Sequence, residues 1–252
     1  MNLFNIFTEI ENIDADAVER INYYSRRQMF RLGAKAAAAA VPATFAAIGS
    51  AYGQGAVPTV TEVLNFALTL EYLEAEFYRM GLMAPNLIPA QDRAVFMQIS
   101  KHEDAHVKLL QVALGAAAVM KPNFKFPGDA FTNYQTFMFL AKALEDTGVR
   151  AYKGQAQFLT VNKDVLTVAL RIHSVEARHA AEVRRLMGIK EWPSDPNEQP
   201  TAVYAGEVNT IHGGVNVAQL VANMMPVERV REAFDEPLTK EAVLAIAGPF
   251  IG

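Results

Sequence analysis

The chain of 252 residues contains no cysteine. That excludes disulfides, cysteine-ligated zinc, iron–sulfur centres and a lipid-modified cysteine. There is a single tryptophan, and histidine is scarce, with five residues. No long basic run appears, and the formal charge is a mild −4, which argues against a nucleic-acid partner. What is abundant is apolar: 51% of the residues are hydrophobic, ample for one sizeable core in one or two domains.

Charge is sparse in one early stretch. After the mixed segment Met1 to Tyr24 comes Ser25-Arg26-Arg27-Gln28-Met29-Phe30-Arg31-Leu32, then an alanine-rich run from Ala34 to Ala51, closed by Ala51-Tyr52-Gly53. A basic region, an apolar region and a small-residue site in that order read as an export signal. The paired arginines and modest hydrophobicity point to the twin-arginine route and a periplasmic or exported protein, although the phenylalanine sits one place later than usual. The other reading is an uncleaved N-terminal helix or membrane anchor. With Lys35 and Pro42 inside it, the run makes a poor spanning helix. The expected organisation is a leader over residues 1–53, a helical body over 54–188 and a tail over 189–252.

In the body, apolar residues recur at helical spacing. Thr59-Val60-Thr61-Glu62 reads as a capping box that opens a first helix, with Gly81 and Pro85 marking its end. A second helix is expected from about Ala90 to Leu114, stopped by Gly115. A long connection, Ala116–Ala130, follows. Thr132-Asn133-Tyr134-Gln135 is another capping-box candidate, opening a third helix to about Phe158; Asn162 caps a fourth that runs to Met187 before Gly188. In the tail, short helices are expected over Val227–Phe234 and from Thr239 to Gly248-Pro249, with little periodicity before them.

The chemistry-bearing residues recur in two matched sets. Glu103-Asp104-Ala105-His106 and Glu176-Ala177-Arg178-His179 each place Glu and His three apart, on one helix face. Upstream of each lies a glutamate in an apolar helix: Glu71 is 32 residues before Glu103, and Glu145 is 31 before Glu176. Tyr78 and Tyr152 each follow their glutamate by seven residues, nearly two turns, on the same face. One E-x-x-H alone is a common surface feature, held by neighbours such as Lys108 or Arg178. Two, with matched upstream glutamates, describe two copies of one helix pair. Four glutamates gathered out of water would repel and be driven to protonate unless cations offset them. Carboxylate and imidazole together suit iron, manganese and zinc, and four Glu with two His fit a pair of irons or manganeses better than one zinc.

This set resembles that of the ferritin-like superfamily. There, one Glu from each of two helices and an E-x-x-H from each of the other two project inward in an all-α four-helix bundle with one long crossover. The segment Leu64 to Tyr78, with its Leu70-Glu71-Tyr72-Leu73-Glu74 core, is similar to the ferritin-like domain family that includes the plant desiccation-related proteins. The resemblance covers about residues 58–188. It implies Glu71 and Glu145 as terminal ligands, Glu103 and Glu176 as bridges, and His106 and His179 capping one metal each. Tyr78 and Tyr152 would line the inner wall, packing there or serving as redox or hydrogen-bonding residues. The absence of cysteine removes the rubredoxin-type iron site that some relatives carry.

The implied cofactors are two iron or manganese ions, and the implied chemistry is redox work with oxygen or peroxide. Ferroxidase or peroxidase activity and manganese-catalase-like dismutation both stay open. A non-enzymatic, stress-protective scaffold, homo-oligomeric or assembled through its tail, is the alternative from another class. Glu74, His102 and His173 stand outside the minimal set: they could join the ligands, orient them by hydrogen bonding, or serve structure alone. His212, in the tail, is read as structural.

Overall fold

A computed structural model describes residues 57–195 and 197–252 of the chain. The expected leader, with Arg26 and Arg27, lies outside the described residues. Those residues are mostly helical, and they divide between two compact units. One unit comprises the described residues up to 132 together with 158–166 and 250–252. The other comprises 133–157 and 167–249.

The first unit is built on α1 (Val60–Met83) and α2 (Ala90–Leu114). The expected capping box is present. Thr59 Oγ1 accepts from the Glu62 amide at 3.3 Å, and the Thr59 amide donates to Glu62 Oε2 at 2.7 Å, so two orphan donors of the first turn are met. Gly115 stops α2 with a φ of +56°, a conformation that costs glycine nothing. The connection that follows is stitched back by one side chain. Asn65 donates to the Ala117 carbonyl and accepts from the Val119 amide, both at 2.9 Å. Below it, Phe77 meets the rings of Phe126 and Phe131 with centroids 5.6 and 5.7 Å away, and Phe126 meets Phe250 at 5.8 Å. Residues 250–252 close this layer, since the Phe250 carbonyl accepts from the Lys125 amide at 2.7 Å and the Gly252 amide donates to the Asn123 carbonyl at 2.8 Å.

The second unit holds α3 (Tyr134–Ala156) and most of α4 (Lys163–Leu186). The cap of α3 is Asn133, not Thr132: its side chain accepts from the Gln135 and Thr136 amides at 2.9 and 3.3 Å, while Thr132 turns back to the Asp129 carbonyl. An Asx side chain reaches the first amides more readily than a threonine one residue further out. Asn162 caps α4 by accepting from the Val165 amide at 3.2 Å. The helix ends in a Schellman motif, with Ile189 bonded to Arg184 and Gly188 to Arg185, and Gly188 at φ +69°.

The segment after α4 packs on α3. A short hairpin, β1 (Ile211–His212) and β2 (Val215–Asn216), turns on Gly213 and Gly214, both at positive φ. Two short helices, α5 (Val217–Leu220) and α6 (Val227–Arg231), precede α7 (Lys240–Ala247), which Thr239 caps. Arg150, on α3 and 1% exposed, organises the return of the chain. Its guanidinium donates to the carbonyls of Val203, Ala205 and Glu236 and lies 3.1 Å from Glu207. At Gly154, one turn on, the backbone of Leu238 comes so near that a Cβ would collide with its carbonyl oxygen. Among the described residues, no helix is long and apolar enough to cross a membrane.

Candidate metal centre

Each unit carries one triad of carboxylate and imidazole. In the first, α1 supplies Glu71, and α2 supplies Glu103 and His106 one helical turn apart. Both helices bury an apolar stripe, and the ligands ride on it. Glu71 is flanked by Leu70, Tyr72 and Leu73, and Glu103 lies between Ile99 and Leu110, all buried. Both glutamates are fully buried and His106 is nearly so. His106 Nδ1 lies 3.1 Å from Glu71 Oε2 and 3.2 Å from Glu103 Oε2. One ligand atom from each of the three falls within 4.8 Å of the others.

The second unit repeats the arrangement. Glu145 comes from α3, and Glu176 and His179 come from α4. Both glutamates are again fully buried, His179 is 4% exposed, and its Nδ1 lies 3.3 Å from Glu145 Oε2. The three ligand atoms again lie within 4.8 Å of one another.

Burial of this kind has an electrostatic consequence. Withdrawal from water pushes the Glu71 carboxyl up from an ordinary 4.5 to about 7; the neighbouring Glu103 adds to the rise and His106 opposes it. Anionic oxygens gathered with an imidazole, out of water and at this spacing, are the donor chemistry of a divalent cation site. The residues present therefore fit metal ions of the iron, manganese or zinc type.

The profile of the ferritin-like domain matches residues 59–189, just over half of the chain. The chain belongs to the ferritin-like domain family. The matched span runs from the cap of α1 to the Schellman turn after α4, so it contains both triads. No curated protein matches the chain.

The other residues singled out from the sequence are distributed around this ferritin-like core. Tyr78 is fully buried, edge-on to Phe77 at 5.3 Å and stacked on Phe96 at 6.0 Å. Tyr152 is buried on α3, and Glu74 is buried on α1 outside both triads. His102 is half-buried, with Nε2 2.8 Å from Gln98 of its own helix. His173 Nδ1 donates to the Val149 carbonyl at 2.9 Å, tying α4 to α3, and burial lowers its pKa. His212 stacks on Phe234 and lies 3.6 Å from Glu236. Of the two basic residues weighed against the E-x-x-H motifs, Arg178 is exposed and Lys108 half-buried.

Sequence reasoning missed a buried ionic cluster beside the second triad. Asp146, next to Glu145, accepts from Arg184 at 2.7 Å and from the Tyr204 hydroxyl at 2.7 Å. Arg184 also lies 2.7 Å from Glu198, which accepts from Lys142 at 2.9 Å. Burial raises the Asp146 pKa, with Arg184 and Tyr204 opposing. The available signal was three charged positions, Lys142, Asp146 and Arg150, on a helix buried on nearly every face.

Proposed function

We propose that the two triads act together as one centre for two metal ions, iron or manganese, in an exported protein that performs redox chemistry with oxygen or peroxide. The observation that carries the reading is the pair of matched, buried Glu/Glu/His triads in a ferritin-like chain. Two divalent cations would offset four buried carboxylates that otherwise must protonate. In this reading Glu71 and Glu145 would be terminal ligands, Glu103 and Glu176 would be shared by the two ions, and His106 and His179 would hold one ion each. Such a pair would supply one-electron steps and a Lewis-acid site for small oxygen species.

The residues around the ligands have separate tasks. The imidazoles must present a neutral nitrogen, so loading drives protons off the cluster. The apolar walls, with Tyr78 edge-on to Phe77 and stacked on Phe96, keep bulk water away from the ligands. Tyr78 and Tyr152 are the candidates for moving an electron or donating a hydrogen bond. Ferroxidase or peroxidase-like work and manganese-catalase-like dismutation share this ligand set. Affinity to the desiccation-related branch and export by the twin-arginine route belong to the same proposal. So does the division into a leader over 1–53, a bundle over 54–188 and a tail over 189–252. Arg26-Arg27 and the alanine-rich run support the leader, and the Leu64–Tyr78 segment supports the branch.

The test is metal content by plasma mass spectrometry on full-length protein purified without chelators, beside a Glu103→Ala/His106→Ala variant. About two iron or manganese per chain, lost in the variant, is expected. A folded wild type that stays metal-free after anaerobic reconstitution with either metal would refute the proposal and favour a scaffold.

A further inference from the structure

The two helix pairs can be compared position by position. The residue after the upstream glutamate is Tyr72 in the first and Asp146 in the second; the residue eight after the E-x-x-H glutamate is Gln111 in the first and Arg184 in the second. In both units these positions bond to each other across the pair. Gln111 Nε2 donates to the Tyr72 hydroxyl at 2.8 Å, and Arg184 Nη2 donates to Asp146 at 2.7 Å. In both, the segment leaving the pair returns to the same bond: the Val119 carbonyl lies 3.4 Å from the Tyr72 hydroxyl, and Tyr204 and Glu198 close on Asp146 and Arg184. The structure thus holds one clamp twice, in two chemistries. The first is neutral, and Gln111 is exposed. The second is ionic, and Arg184 is 1% exposed.

We infer that Glu198, with Arg184 and Asp146, is a positioning device for the Glu145/Glu176/His179 triad, and that it makes the two metal positions unequal. This rests on the di-metal reading above. Arg184 lies five residues past His179 on α4, and Asp146 directly follows Glu145 on α3. The bond between them therefore fixes the two helices that carry the second triad. A partner from beyond the matched domain completes its charge balance. Glu198, at 10% side-chain exposure, meets both Lys142 and Arg184, and without it two buried cations face a single carboxylate, Asp146. Charge-assisted bonds in a dry site are the strong ones, and a buried charge left unmatched is costly. The segment 198–204 is then a latch: its seating organises one half of the ligand set, and metal in that half holds the latch seated.

The test titrates chelator-treated full-length protein with Co2+, read by its visible ligand-field absorption. Wild type is expected to take up two ions. Glu198→Gln, which keeps size and removes charge, is expected to weaken one of them at least tenfold and to alter that ion's absorption, with the other within twofold. Gln111→Ala, at the exposed end of the neutral clamp, is expected to leave both within twofold. Uptake of fewer than two by wild type overturns the di-metal reading and this inference with it. Two ions in wild type with equal loss, or no loss, in Glu198→Gln overturns the inference alone. If Glu198→Gln does not fold, wild type decides by limited proteolysis. Metal is expected to slow cleavage within 189–201 at least tenfold, and cleavage that is indifferent to metal overturns the latch.

Discussion

Without metal, this protein should become less stable as the pH rises through neutrality, the reverse of ordinary acid denaturation. The cause is Glu71. In the unfolded chain its carboxyl titrates near 4.5; in the folded, metal-free chain burial holds it at about 7. Below 4.5 both states are protonated and the group is neutral to stability. Between 4.5 and 7 the unfolded state has released a proton that the folded state retains, so stability falls with pH. Above 7 both are ionised and the loss is complete. About 2.5 pH units at 1.36 kcal/mol each amount to ~3 kcal/mol, a large part of a typical domain's stability. The assay is urea unfolding of chelator-treated protein followed by circular dichroism at pH 5.0 and pH 8.0. Wild type should lose on the order of 3 kcal/mol between the two, and Glu71→Gln should lose that much less. Glu207, also raised to about 7 by burial against the pull of Arg150, slopes the same way, so the difference between wild type and Glu71→Gln is the quantity that counts. Metal should restore stability at pH 8.0, because ligands must be deprotonated to bind it. Equal slopes in wild type and Glu71→Gln, or stability that rises with pH in both, would refute the assignment of a buried, protonated Glu71.

Two further outcomes follow from the second unit. Gly154→Ala should lower apo stability by about 1–3 kcal/mol in urea unfolding, despite alanine's better helix propensity, because the new methyl must displace the Leu238 backbone. Arg150→Ala should cost about 3–5 kcal/mol, since Glu207 would lose the cation that opposes its burial while three carbonyls lose their donor. Limited proteolysis of that variant should cut first between residues 200 and 240, where those carbonyls lie.

The helices and the triads were legible because each leaves a local, periodic trace. Glu71, Glu103, His106 and their counterparts sit at fixed spacings on apolar helices, and helix geometry alone puts each E-x-x-H on one face. Caps were legible for the same reason, and the shift from Thr132 to Asn133 is a one-residue matter of side-chain reach. The packing of the C-terminal segment left no such trace. Arg150 is satisfied by carbonyls 53 to 86 residues away, and carbonyls look alike in any sequence. The hairpin at Gly213-Gly214 had a turn signal in its glycine pair, but strands two residues long are too short for alternation to register. The Asp146–Arg184 bond was hidden because charges on a helix are by default assigned to its solvated side.

That bond also bears on how a repeated architecture can serve an unsymmetrical task. The six triad residues occupy equivalent places in the two pairs and agree in type, as the proposed di-metal centre requires. One position past the upstream glutamate and five past the histidine the pairs part company, Tyr72 with Gln111 in one and Asp146 with Arg184 in the other, although both bonds join the same two places. A neutral bond with an exposed donor such as Gln111 exchanges readily with water and is weakly held. A buried ionic one is held strongly but needs every charge matched, and here the match comes from Glu198 and Lys142. The segment after α4 is therefore part of the energetics of the second triad: the ionic bond that joins its two helices depends on a carboxylate from beyond the ferritin-like span.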